Sequence, residues 1–228
     1  MLHALRNRFA VYSSLVLLAF GGAANAASVP SNDGTETPEF EVQATGPDGI
    51  EVRRYGPAVE AFTTVRADNA RAASEKAFMT VAGYIFGNNE GADGASAKIE
   101  MTAPVRTTSG TRIDMTAPVK TTGGNTLDED GSYTIAFIMP SKWTMQTLPK
   151  PRDPAVKLRE VLAEVRAVLP FKGERGPDEI AALETRLREW SDANGWTVLG
   201  AATLAGYDGP SVPSAERRYE VMLPVSKR

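Results

Sequence analysis

Cysteine does not occur in the 228-residue chain, and histidine occurs once, as His3. The first absence removes disulfides, thiolate metal sites and thiol nucleophiles. The second removes nearly all imidazole chemistry, general base or metal ligand. There is no phosphate-cradling glycine loop. Basic residues number 25 against 28 acidic ones, and the charges are scattered. An acidic surface without a basic stripe offers nothing to a phosphate backbone, so no nucleic-acid partner is expected. The glycine-rich loop Gly87 to Gly94 carries two acids but lacks the ligand spacing of a calcium loop. Asp128-Glu129-Asp130 reads as a solvated turn. Asp153, Glu160 and Glu164 are not brought together by any pattern, so no acid–base pair is assigned.

Long apolar runs are also missing. The longest, Val11 to Phe20, is short for a bilayer span. It follows Arg6 and Arg8 and precedes Ala24-Asn25-Ala26, the layout of a secretory signal peptide cleaved after Ala26. Residues 1–26 are therefore expected to be a leader, with no stable membrane span after its removal. Cleavage takes both arginines and His3. The mature chain would carry 23 basic and 28 acidic residues, a net charge of −5, and no histidine. The expected location is the bacterial periplasm or the exterior.

The full chain is 42% hydrophobic, and what remains after the leader is long enough to bury a core without covalent staples. Residues 27–38 are small and unpatterned, a flexible N-terminal arm. Residues 39–228 form the body. Phe40 to Val65 alternates like strands around the turn cluster Thr45 to Gly49. Asp68 to Phe86 changes period, with Ala73, Ala77, Val81 and Tyr84 on one helical stripe. Tyr133 to Met139 alternates again. Ile180, Leu183, Leu187 and Trp190 mark a second helix, with Pro177 at its start and Asn194-Gly195 at its end. Trp196 to Ala205 and Arg218 to Val225 read as closing strands. Between them, Ala155 to Phe171 has the stripe of a helix. Strands, helix, strands, repeated, suggest two similar α+β halves.

The sequence also repeats a phrase. IEMTAPVRTT at Ile99 returns as IDMTAPVKTT at Ile113, fourteen positions later. In each copy alternate residues share a face: Ile99, Met101, Ala103 and Val105, then Ile113, Met115, Ala117 and Val119. If Ser109-Gly110 turns tightly, the copies pair with each other as a hairpin; a longer loop is the alternative. Pro104 and Pro118 cannot donate ladder hydrogen bonds, so each copy must leave the sheet, bulge or lie on an edge there. Methionines 79, 101, 115, 139, 145 and 222 supply soft apolar surface suited to a flat ligand or to an ordinary core.

These blocks carry a resemblance. Lys98 to Val105 (KIEMTAPV) resembles the signature of the SOUL haem-binding family. Glu51 to Tyr55 (EVRRY), Tyr133 to Pro140 (YTIAFIMP), Leu148 to Pro151 (LPKP) and Arg217 to Val221 (RRYEV) resemble further blocks of that family, in order, across about Phe40 to Val225. At Tyr219 the family pattern has asparagine. The resemblance implies an α+β fold: a distorted antiparallel β-barrel with two helices and a pseudo-twofold repeat, similar to bacterial small-molecule-sensing domains. It implies two strands across Val156 to Phe171, against the helical stripe, and it is followed there. The second Met-Thr-Ala-Pro-Val copy then looks like a local duplication before the Tyr133 strand.

The implied function is non-covalent binding of haem or another tetrapyrrole in a hydrophobic groove. Without a mature histidine there is no imidazole ligand to the iron. Arg53, Arg54 and Lys98 would then stand near the propionates. Phe78, Tyr84, Met101 and Met115 would line the groove, with Tyr84 or a methionine as the available axial group. The alternatives are a module for another apolar molecule or a protein partner, and an enzyme acting on a tetrapyrrole.

Overall fold

The computed structural model describes residues 26–31, 34–68, 70–109 and 132–228. The leader through Asn25, the second repeat copy with Met115, and the acidic run at 128–130 lie outside those residues. In chain order the elements are β1 (Ala27–Ser28), β2 (Glu39–Thr45), β3 (Glu51–Tyr55), β4 (Ala58–Arg66), α1 (Ala70–Ile85), β5 (Asn89–Glu90), β6 (Val105–Ser109) and β7 (Ser132–Ile138). They continue with β8 (Lys150–Pro151), β9 (Lys157–Val161), β10 (Glu164–Lys172), α2 (Pro177–Ala193), β11 (Trp196–Val198), β12 (Thr203–Gly206) and β13 (Arg218–Lys227).

The main sheet runs β1-β2-β3-β10-β13-β12-β6-β7-β4-β9, with β11 attached to β13 and every ladder antiparallel. Its middle is the β12–β6 pair. On one side lie β6, β7 and β4 with α1; on the other lie β12, β13 and β10 with α2. Each half takes its outer strand from the other's lead-in, since β9 pairs with β4 and β3 with β10. This is the pseudo-twofold repeat.

Two short links force the sheet to curl. Only Gly56 and Pro57 join β3 to β4, yet five strands separate them along the sheet. On a flat sheet six spacings of ~4.8 Å would put them roughly 29 Å apart. Three Cα steps reach at most ~11 Å. Leu162 and Ala163 join β9 to β10 in the same way. The strands therefore wrap into a half-barrel, and α1 and α2 cover its outer faces. Alternation sorts the residues: Val59, Ala61, Ile135 and Phe137 pack with Ala73, Ala77, Val81 and Tyr84 of α1. Val52, Ala167, Leu169, Val221 and Leu223 pack with Leu187 of α2. Gly46 lets α2 close in, because a Cβ there would lie 2.6 Å from Trp190 Cε2.

Three sequence readings change. The helical stripe of Ala155 to Phe171 is two strands, β9 and β10. β10 is buried on both faces, Ala167 and Leu169 toward α2 and Val168 toward the concave side, so no alternation shows. Leu162, which the stripe would bury, is 80% exposed in the β9–β10 link. The first repeat copy is a strand only from Val105; Met101 to Pro104 stand outside the ladder, as a proline that cannot donate requires. Ile99 is buried and Met101 exposed, so they do not share a face. Nor does β6 pair with the second copy, because both its edges are taken, by β12 and β7.

The described part of the arm at 27–38 lies along the fold. β1 pairs with β2, Thr37 Oγ1 donates to the Val29 carbonyl, and the Glu36 carbonyl accepts from Ala103 N. No helix among the described residues is long and apolar enough to cross a membrane.

Candidate functional site

The concave side of the half-barrel is filled. Arg53, Glu60, Arg106 and Glu220 point inward from β3, β4, β6 and β13, each no more than 5% exposed. Arg53 donates to Glu220 at 2.9 Å and to Glu51 at 2.6 Å, and lies over the Phe40 ring. Tyr207 Oη donates to Glu220 Oε2 at 2.5 Å. Arg106 donates to Glu60 at 3.1 Å and to Glu164 at 3.3 Å; Arg159 binds the second oxygen of Glu60, and Arg166 shares Glu164 Oε1 with Arg106.

Burial works against charge on Arg53 and Arg106, but the adjacent carboxylates outweigh it and hold both guanidinium groups protonated. Burial also opposes ionisation of Glu164, and Arg166 and Arg106 overcome it, so its carboxyl sits below the usual range. Tyr55 and Tyr207 are pushed up, first by burial, and stay protonated; Tyr207 donates to Glu220, while Tyr55 accepts from Arg53. Ala27, Val29, Phe40 and Met222 close over this network. Among the described residues the concave side is thus occupied by paired charges and their apolar cover.

The seven expected site residues are spread out. Arg53 belongs to the buried network. Arg54 is exposed on the opposite face of β3. Phe78 packs against Phe137, ring centroids 5.5 Å apart, inside the α1 cluster. Tyr84 is fully buried and its hydroxyl donates to Pro149 O at 2.8 Å. Lys98 and Met101 are exposed in the segment before β6. Met115 is outside the described residues.

The segment that carries Lys98 and Met101 runs beside a feature the sequence reading missed. Ile99 N donates to Ile85 O at 2.9 Å, which seats this segment beside the end of α1. There Met79 is 72% exposed and Phe86 59% exposed, two turns apart on the outer face of the helix. Gly83 lies between them, and a Cβ added to it would meet nothing within 4 Å. The result is an apolar ridge with a notch. Met101, two residues beyond Ile99, is 37% exposed. Lys142 approaches from the β7 exit, paired with Glu100 at 2.7 Å and lying 5.7 Å from the Trp143 ring centroid. Trp143 Nε1 is buried there without a hydrogen-bond partner among the described residues.

The family model described as SOUL heme-binding protein matches residues 35–224. The chain belongs to the SOUL haem-binding family. Solved structures share this fold at low identity. The EcmrR C-terminal domain has TM-score 0.55 at 12% identity, covering 78% of this chain and 98% of that one. An uncharacterized conserved protein from Listeria innocua has TM-score 0.54 at 12% identity, covering 78% and 93%. A hydrolase from Listeria innocua has TM-score 0.50 at 12% identity, covering 81% and 94%. A comparison with curated proteins found no match.

Within this SOUL chain, one signal could have found the ridge. Met79 falls opposite Ala77, Val81 and Tyr84 on the α1 stripe, an apolar residue on the side that should be polar. Tyr84, by contrast, has a structural task. Tyr84→Phe leaves the Pro149 carbonyl unpaired and is expected to lose about 1–2 kcal/mol in urea unfolding, with haemin binding unchanged. Burial pushes the Tyr84 phenol up to about 12. The neutral form is thus favoured in the fold. The stability this adds is complete below the unfolded value near pH 10 and disappears as pH rises through about 12.

Proposed function

We propose that this is an exported protein that binds haem or a related tetrapyrrole non-covalently on the outer face of α1. The observation that carries the reading is the exposed pair Met79 and Phe86 on either side of Gly83. A glycine in a helix costs about 1 kcal/mol relative to alanine. Nothing in the surrounding structure needs the missing side chain at Gly83, so the open notch is explained by something that lies across it. A flat macrocycle fits such a face: Met79, Phe86 and Met101 would supply apolar contact and Lys98 a charge for a propionate. Thioethers at Met79 and Met101 are the soft groups within reach of an iron, and the Tyr84 phenol is committed to Pro149. Haem would supply the redox and ligand-binding chemistry of its iron, while the chain's own residues bind and shield one face of it.

Export is supported by the leader pattern at residues 1–26, and the periplasm is the proposed location. The acidic balance of the chain argues for no nucleic-acid partner.

Haemin titrated into leader-free protein is expected to shift and sharpen the Soret band with saturation at micromolar concentration and to quench tryptophan emission. Gly83→Leu fills the notch; it should raise helix stability by up to about 1 kcal/mol while weakening haemin binding. No saturable change with the intact protein would end the reading. Equal binding by Gly83→Leu would move the site away from α1.

A further inference from the structure

A second feature lies on the other half of the molecule, away from α1. A half-open cavity of about 500 Å³ is bounded by Gln43, Arg54, Glu164, Val165, Trp196 and Lys227. We propose that it is a separate binding site for small aromatic carboxylates, recognised by Arg54 and Lys227 over the Trp196 wall. Its volume falls in the range of small-molecule sites.

The charge of the wall comes first. Arg54 and Lys227 are both exposed, and among the described residues neither has a hydrogen-bond or ion-pair partner. Glu41 stands across the β2–β3 ladder from Arg54 but is not within ion-pair distance. The one carboxylate in the wall, Glu164, is already bound by Arg166 at 2.7 Å and Arg106 at 3.3 Å. Its charge is answered from the concave side, and the cavity is left net positive. Two cations without acids converging on one hollow suit an anion, and the planar fork of Arg54 suits a carboxylate.

The second argument is the apolar wall. Trp196 lines the cavity although it is nearly buried, and the Lys227 ammonium lies over its ring, 4.6 Å from the centroid. With Val165 it gives a bound ring an apolar side to contact. The third is the backbone. The β2–β3 register slips between Val42 and Ala44, which leaves Gln43 as the extra residue of a bulge. Bulges re-aim side chains and are frequent beside sites. Here the re-aimed residue is an amide on the cavity wall, able to donate to the second carboxylate oxygen.

The test is calorimetric titration of the leader-free protein with 2-naphthoate and with its neutral twin, 2-naphthamide. Saturable one-to-one binding of the carboxylate is expected, with the amide at least about tenfold weaker. The Arg54→Ala/Lys227→Ala double variant should bind the carboxylate about 10- to 100-fold more weakly. Both positions are exposed, and an unchanged melting curve would confirm the fold. Haemin should not displace naphthoate, and haemin binding should be intact in the double variant. That pattern keeps this site distinct from the α1 face, so either assignment can fail without the other. The proposal is overturned if naphthoate gives no saturable heat, if acid and amide bind alike, or if the double variant binds normally. Displacement by haemin would overturn its independence. Equal competition by inorganic phosphate would overturn the aromatic carboxylate class.

Discussion

Glu60→Ala is expected to destabilise the fold by about 3–5 kcal/mol, the range for breaking a buried ion pair by removing one partner. Glu60 is 2% exposed and receives both Arg106 and Arg159. Its loss leaves the buried Arg106 with Glu164 alone, 3.3 Å away, and Arg106 Nε is already without a partner among the described residues. The two arginines should respond differently when removed. Arg159 keeps 49% of its side chain in solvent, so Arg159→Ala should cost less than about 1 kcal/mol. Urea unfolding followed by tryptophan emission would measure both. At a slope of about 2 kcal/mol per molar, Glu60→Ala moves the midpoint down by roughly 1.5–2.5 M. A loss below 1 kcal/mol would mean that water or a rearranged side chain satisfies Arg106, and that the concave side is not the sealed interior described above.

Haemin affinity should fall about a hundredfold in the double variant Met79→Glu/Phe86→Glu. Both side chains are mostly in solvent, so the fold loses little when they change. Covering one apolar side chain of this size contributes about 1.5–3 kcal/mol, reduced here because each is already partly buried. Two of them contribute roughly 3 kcal/mol, and each 1.4 kcal/mol is tenfold in affinity. The added carboxylates would also repel propionates. The comparison is a Soret titration of the variant against the parent, with melting curves to show that both are folded. Affinity within threefold of the parent would place the tetrapyrrole elsewhere on the molecule.

Elements whose period is set by one buried face were readable in the sequence. The α1 and α2 stripes fall where helical spacing puts them, and the Tyr133 strand was readable although Ile135 to Ile138 are buried on both faces. The residues from 155 to 171 were not readable that way, because β10 is covered on both sides and its apolar run carries no period. There the family blocks decided correctly. The repeat was half legible: Pro104 announced a break in the ladder, but the pairing of β6 with β12 links residues about a hundred positions apart, and no local pattern encodes that.

The site divides in the same way. The soft, flat surface was visible as methionine content, and Lys98 and Met101 were picked from the signature block. Arg53 was picked from the same kind of pattern and lies in the buried network, since EVRRY shows two adjacent arginines and not which one faces inward. By itself the sequence determined the family, the two-helix α+β composition and the absence of thiol chemistry, because these depend on residue identity and local period. Only the tertiary structure decided that the concave interior is closed by paired charges and that the open apolar surface lies outside on α1. The two-residue links curl the sheet, and curling chooses which of two alternating faces is buried.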